Sequence, residues 1–313
     1  MMQKRILLIM APFRGYTTYI VEALENQGYV VDPIFITSKV VLSLCVKLPI
    51  IGRFLLGIIL LYISFFKPQK YDVIIIIRGD RLPNFYYRYL HWANPQARFI
   101  LYLWDHVGKF PRALKVLKYF DKVSSFERQD CEQYGFFYLP LFYIPEYERC
   151  VKSKKTKYMF SFVGMDYGQR KEILMKLEEQ AKKQGFETYI RFPLLNAFDK
   201  EKRKDEYRQY YKAGIMSHNE IINLYEQSRC VVDIESDGQN GLTMRTFEVL
   251  ASKTKLVTTN KNIKETPLYH ENNVYILNRD DPQIDLAFLA SPFKPQNCIE
   301  DYSINNWAKN LLK

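Results

Sequence analysis

The run Asp233-Ile-Glu-Ser-Asp-Gly-Gln-Asn-Gly-Leu-Thr-Met-Arg-Thr-Phe-Glu248 holds the densest chemistry in the sequence. The apolar segment Cys230 to Ile234 ends in a polar loop with two glycines, and a helical pattern opens near Thr243. Backbone N–H groups at a helix start favour phosphate, through unpaired donors and the helix dipole. Gly238 and Gly241 let a ligand approach the chain closely, and Arg245 adds a fixed positive charge. Glu248 lies about one and a half turns into the helix, where a carboxylate can accept hydrogen bonds from two ribose hydroxyls. An ordinary strand–helix turn, with Arg245 and Glu248 as a surface pair, fits the same residues.

A second candidate is Gly164 with Arg170. A glycine just after a strand permits close approach to a diphosphate, and a guanidinium can pair with it. Asp105 follows an apolar run ending in Trp104, and strand C-termini are where open α/β sheets place ligands. It is the candidate general base, able to take a proton from an acceptor hydroxyl. A loop-capping role suits it equally. His106 beside it is a rival base, and Asp80, ending Ile77-Arg-Gly-Asp, is a third. In the loop Pro12-Phe-Arg-Gly-Tyr16, Arg14 and Tyr16 are placed to meet an acceptor, as is Asp80.

Several chemistries lack their residues. There is no GxGxxG, Walker sequence, HExxH or GxSxG, so a dehydrogenase, an NTPase and a hydrolase have little support. No DxD flanks a strand end, and Asp280-Asp281 precedes Pro282 in a loop, so no metal and no cofactor is expected. Arg170, Arg245 and the helix N-terminus would then stabilise a departing diphosphate.

The elements that must position these groups alternate. Residues 5–10 read as a strand, Tyr16 to Gln27 as a helix stopped by Gly28, and Val30 to Phe35 as a second strand. Further strands are Tyr71 to Ile77, Phe99 to Trp104, Lys122 to Phe126 and Phe137 to Phe142. The charged stretch Glu146 to Lys157 reads as an interdomain linker. The alternation restarts with strands at Tyr158 to Val163, Thr188 to Phe192, Cys230 to Ile234, Lys255 to Thr259 and Val274 to Leu277. Helices fall at Lys171 to Gln184, at Ser217 to Gln227 with Ser217 as N-cap, at Thr243 to Ala251 and in the tail, Tyr302 to Leu312. The fold class is α/β, with domains 1–150 and 151–313, the second ending in the tail helix, and a cleft between them.

Composition agrees with a globular chain. Of 313 residues, 48% are apolar and 25% charged, which is neither disordered nor fibrous. The net charge of +11 suits an anionic partner, but no RNP, zinc-finger or helix-turn-helix pattern accompanies it, so nucleic acid is not expected. The lysines at 152, 154, 155 and 157, and the basic residues 200 and 202–204, read as solvated surface. Five scattered cysteines without a CxxC pair point to reduced thiols in the cytosol. The opening residues, soon interrupted by charge and proline, do not read as a signal peptide.

Residues 241–260, GLTMRTFEVLASKTKLVTTN, resemble the donor-site segment of bacterial GT-B glycosyltransferases of capsule and lipopolysaccharide assembly. SFVGMDYGQRKEIL at 161–174 looks like their opening of the second domain. LYLWDHVGKF at 101–110 and FDKVSSFERQDCEQYGFFYLPLFY at 120–143 look like the end of their first. The ordered match spans most of the chain and leaves out residues 36–70 and 193–213. The resemblance implies two Rossmann-like domains facing a central cleft. A nucleotide-sugar donor would sit on the second domain, on Gly164, Arg170, Gln239, Asn240, Gly241, Leu242, Thr243, Arg245 and Glu248. A glycan or lipid-linked glycan acceptor would sit on the first. Glu248 matches the family's ribose-binding glutamate. The first glutamate of its Glu-x7-Glu pair is replaced by Asn240, leaving that role open to Gln239 or Asn240. The missing carboxylate also fits a non-catalytic binding subunit.

One segment fits neither domain's periodicity. Leu55 to Phe66 is apolar, about 12 residues against the ~20 needed to span a bilayer, with Lys39, Lys47, Arg53, Lys67 and Lys70 around it. It reads equally as a helix packed on the sheet or as a peripheral contact with anionic membrane at the inner face of the cell membrane.

Overall fold

The computed structural model describes residues 3–13, 15–37, 43–45, 47–67, 70–194, 207–236 and 238–313. It divides into unit 1, Met1–Pro140 with Ile304–Lys313, and unit 2, Leu141–Ser303.

Unit 1 runs β1 (Arg5–Met10), α1 (Tyr16–Glu25), β2 (Val30–Phe35), α2 (Pro49–Phe65), β3 (Val73–Ile77), α3 (Asn84–Ala93), β4 (Arg98–Leu103), β5 (Lys122–Ser125), α4 (Arg128–Tyr134) and β6 (Phe137–Tyr138). The sheet order is β2-β1-β3-β4-β5-β6, and every pairing is parallel. Parallel strands are covered on both faces, so they read as continuous apolar runs; all five residues of β3, Val-Ile-Ile-Ile-Ile, are buried. The core gathers Ile74, Ile76 and Leu101 with Tyr86 and Tyr87 from α3. The strand order reverses between β1 and β3, and the carboxyl ends at such a reversal are where open α/β sheets place ligands.

Unit 2 runs β7 (Tyr158–Val163), α5 (Arg170–Lys183), β8 (Glu187–Leu194), β9 (Tyr211–Ala213), α6 (His218–Glu226), β10 (Ser228–Asp233), α7 (Met244–Ala251), β11 (Lys255–Thr258), β12 (Val274–Ile276) and α8 (Leu286–Ala290). Its sheet is also wholly parallel, in the order β12-β11-β10-β7-β8-β9. Counted from β7, this is the 3-2-1-4-5-6 order of dinucleotide-binding sheets, with its reversal between β7 and β10. Ser217 caps α6 with a complete capping box to Glu220, as its sequence position implies.

Four expectations are corrected. The last helix, α9 (Ile304–Leu312), belongs to unit 1, so the division lies at Pro140 and again at Ile304, not at 150 alone. Trp307 packs edge-on against Tyr102 at 5.1 Å. Lys122 donates to the carbonyls of Asn310 and Leu311 at 2.9 and 3.0 Å, and Arg98 to that of Leu312 at 2.8 Å, satisfying a helix end that has no partners of its own.

The stretch 146–157 is not a free linker. Tyr147 and Cys150 are buried, and the Tyr147 hydroxyl bonds His218 Nδ1 at 3.1 Å. Lys152, expected on the surface, donates to the carbonyls of Tyr225 and Ser228, both at 2.5 Å. Burial pushes its ammonium pKa down to about 8. The strand expected over Phe137 to Phe142 is only two residues long, because Pro140 removes a ladder donor. The basic residues 200 and 202–204 lie outside the described residues.

Candidate functional site

In unit 2 the site grows from the buried end of β10. Asp233 is 1% exposed, which obliges its carboxylate to find partners. It finds three: Arg245 Nη1 at 2.9 Å, Thr243 Oγ1 at 2.5 Å and Thr246 Oγ1 at 3.4 Å, all from the start of α7. Arg245 Nη2 also donates to the Val163 carbonyl at the end of β7. A Cβ on Gly164 would lie 3.1 Å from that same Nη2, so glycine here makes room for the arginine as well as for any ligand. Burial acts against the charged guanidinium, but Asp233 and Tyr225 overcome it and hold the Arg245 pKa above its usual value.

Thr243 is the N-cap of α7, yet its side chain does not cap the helix. Its hydroxyl is spent on Asp233, so the opening N–H groups of α7 get no side-chain bond from their cap; the Thr243 carbonyl accepts from the Thr246 N–H, at 3.1 Å. Arg170 begins α5 and is buried. Its Nε donates to Ile234 O at 2.8 Å and its Nη1 to Met165 O at 3.1 Å, joining the loops that leave β7 and β10. Burial lowers its pKa. Its guanidinium lies 3.9 Å from the centroid of the exposed Tyr167 ring.

The loop ahead of α7 is tied from the other side. Asn260 Nδ2 donates to the carbonyls of Asn240 and Gly241 at 3.1 and 3.3 Å, and Asn262 Nδ2 to that of Asn240 at 3.1 Å. Gln239 Nε2 donates to Gly241 O at 3.2 Å. Leu242 and Glu248 are buried. Of the donor residues expected from sequence, Gly164, Arg170, Thr243 and Arg245 thus lie around the reversal between β7 and β10. Gln239, Asn240 and Gly241 form the braced loop, and Glu248 sits on the helix that follows. The arrangement offers an anion a helix N-terminus beside two immobilised guanidiniums.

In unit 1 the expected residues lie at the carboxyl ends of β1, β3 and β4. Asp105 pairs with Arg78 Nη1 at 3.6 Å and with Lys109 Nζ at 3.4 Å. Asp80 meets Arg78 Nε at 3.4 Å. Asp105 and Asp80 are therefore brought together through one arginine. His106 precedes Val107, whose N–H donates to the buried Asp130 at 2.7 Å and holds the loop. Tyr16, Phe13 and Trp104 form a ring cluster with centroids 5.4 to 6.5 Å apart. Arg14 lies outside the described residues.

Sequence reasoning gave no role to Arg78, Asp233 or Asn260. Arg78 has φ 76°, a region costly for any residue with a Cβ, and stacks over Phe110 at 3.8 Å. Its Nη2 is buried and has no hydrogen-bond partner among the described residues. The signal was an Arg-Gly pair closing a core strand. For Asp233 it was a carboxylate at the last position of one. Asn260 gave none, because its partners are backbone carbonyls about 20 positions away.

Among the described residues no three His, Cys, Asp or Glu side chains gather as a metal site. No family model and no curated protein matches the sequence. Solved structures do match its fold. AviGT4, a glycosyltransferase involved in avilamycin A biosynthesis, aligns over 99% of this chain and 96% of its own, with TM-score 0.55 and 10% identity. A candidate UDP-N-acetylglucosamine 2-epimerase from Listeria monocytogenes aligns over 99% and 95%, with TM-score 0.55 and 10% identity. Os79 from O. sativa, solved in complex with UDP, aligns over 99% and 94%, with TM-score 0.51 and 11% identity. These likenesses, with two parallel six-stranded sheets, give the chain the GT-B architecture of paired Rossmann-like domains.

Proposed function

We propose that this protein is a glycosyltransferase that moves a sugar from a nucleotide-diphosphate sugar to a hydroxyl of a growing cell-surface glycan, of capsule or lipopolysaccharide type. The fold alone does not choose this chemistry, since a transferase and an epimerase designation share it. The observation that carries the reading is the start of α7. Its natural cap is diverted to Asp233, and Arg245 and Arg170 are fixed beside it. Such a site suits a diphosphate that gains charge as the glycosyl bond breaks, the task a metal performs elsewhere, so the reaction is read as metal-independent. Glu248 would hold the ribose. Asp105 would take the acceptor proton, with His106 as its rival. Arg14, Tyr16 and Asp80 would bind the acceptor, and a lipid-linked glycan would bring the protein to the inner membrane face.

A second reading, a non-catalytic nucleotide- or glycan-binding subunit, is favoured by Asn240, which stands where the resembling family keeps a carboxylate. Calorimetric titration with a panel of nucleotides and nucleotide sugars, followed by turnover assays in EDTA, tests both. One nucleotide should bind, Glu248→Gln should weaken it by about 1.5–3 kcal/mol, and turnover should survive chelation. Binding without turnover supports the second reading; no affinity for any nucleotide or nucleotide sugar removes the first and leaves only the glycan-binding form of the second.

A further inference from the structure

Helix α2 is turned inside out. Its residues facing the protein are small or sparse, namely Gly52, Leu56, Gly57 and Leu60. A Cβ on Gly52 would lie 2.3 Å from the backbone N of Cys45, and one on Gly57 would lie 2.3 Å from the Phe85 ring. The two glycines are therefore the seat on which the helix docks. The exposed residues of the helix are all large and apolar, among them Ile50 (83% exposed), Phe54, Ile58, Tyr62 and Phe65 (77%). Spaced at three and four residues, they form one continuous stripe. The single charge in the helix, Arg53, turns away and donates to Leu82 O at 3.3 Å. A water-facing helix shows the opposite pattern, and a monomer rarely exposes so long an apolar stripe.

We infer that α2 is an interfacial helix that lies flat in the headgroup region of an anionic lipid bilayer. Its 17 residues span about 26 Å, and no helix among the described residues is long and apolar enough to cross a membrane. The polar face that an interfacial helix usually needs is replaced here by docking through the glycines. Charge chooses lipid over a protein partner. Between Asp32 and Asp72 the chain has five basic residues and no acidic one. Lys47 and Lys70 are exposed on either side of the helix, and Lys67 follows it directly.

Aromatic contacts lead from the helix, through the buried Tyr86, to an exposed tryptophan. The Ser64 hydroxyl bonds that of Tyr86 at 2.8 Å, Tyr86 stacks with Tyr89 at 6.2 Å, and Tyr89 meets Trp92, 79% exposed, at 6.2 Å. A tryptophan so placed is an anchor at headgroup depth.

Flotation of the full chain with vesicles of phosphatidylcholine alone, or mixed equally with phosphatidylglycerol, tests the inference. The protein should float with the mixed vesicles at low salt, with a blue shift in emission that Trp92→Phe abolishes. Ile58→Ser with Phe65→Ser alters only exposed side chains, so the melting curve should hold while vesicle affinity falls about tenfold or more. A chain that stays down with both vesicles, or a double variant that floats as well as the parent, overturns the inference. A dimer that the double variant splits, without flotation, assigns the face to a second copy and also overturns it. Nucleotide affinity should be the same in parent and variant, so this inference and the transferase reading fail separately.

Discussion

The two units build the same kind of sheet and finish its strand ends in opposite ways. In unit 2 the groups beyond β7 and β10 are mostly buried and held by several short hydrogen bonds each. Asp233 holds Arg245 and two threonines, Arg170 holds two carbonyls, and Asn260 holds the loop. In unit 1 the groups beyond β3 and β4 are half-exposed and loosely paired, with ion-pair distances of 3.4 to 3.6 Å around Arg78. A charge network out of water is rigid and costly to break, whereas one in contact with water adjusts at little cost. Under the proposed function, a site for an invariant nucleotide would gain from the first, and a site for a varied hydroxyl acceptor from the second.

Mutations can break this contrast. The largest effect is expected for Asp233→Ala, which strands the buried Arg245. Chemical denaturation should show a loss of about 3–5 kcal/mol, while a loss under about 1 kcal/mol would mean the unit 2 network is not what holds α7. Asp105→Asn should behave differently. Stability should change by less than about 1 kcal/mol, since its pairs with Arg78 and Lys109 face solvent, while turnover falls about 10²–10⁴-fold. Full activity in that variant would pass the base role to His106 or Asp80.

The smallest effect concerns pH, and it sharpens the contrast within unit 2. Burial lowers the pKa of both Lys152 and Lys255 to about 8, below the value of ~10.4 in an unfolded chain. Their desolvation cost is full below about pH 8 and is relieved as pH rises toward ~10.4, where the unfolded chain still binds more protons. Buried tyrosines act the other way: Tyr210 and Tyr225 are pushed up to about 12, so stability falls once unfolded tyrosines ionise above ~10. Thermal unfolding followed from about pH 7 to about pH 9 should show a gain of about 1 kcal/mol per lysine. A flat or falling profile would place both ammonium groups in water.

The alternation of strand and helix was legible because each element's pattern is local. The apolar runs of β3 and β4 and the glycine-bearing loop before α7 mark the strands and the ligand-binding end directly. What escaped is non-local. The partners of Arg170 and Arg245 are backbone carbonyls of Ile234 and Val163, which carry no side-chain signature. The same two residues that read as free phosphate cations also hold the site together. The orientation of α2 was illegible for another reason: a segment apolar on every side has no periodicity to reveal which side is docked. Only its glycines marked the seat.

Because α9 completes unit 1, that unit cannot be finished until residues 141–303 and the helix after them have been made. At roughly 5–20 residues per second, synthesis of the intervening Leu141–Ser303 takes on the order of ten seconds. Through that interval Tyr102, Lys122 and Arg98 lack their helix, and the surface they form stays open to other chains. Unit 2, an uninterrupted segment, has no such wait. Of the two units, unit 2 can therefore close first and unit 1 last, and crowding on a polysome would fall on the surface that awaits α9.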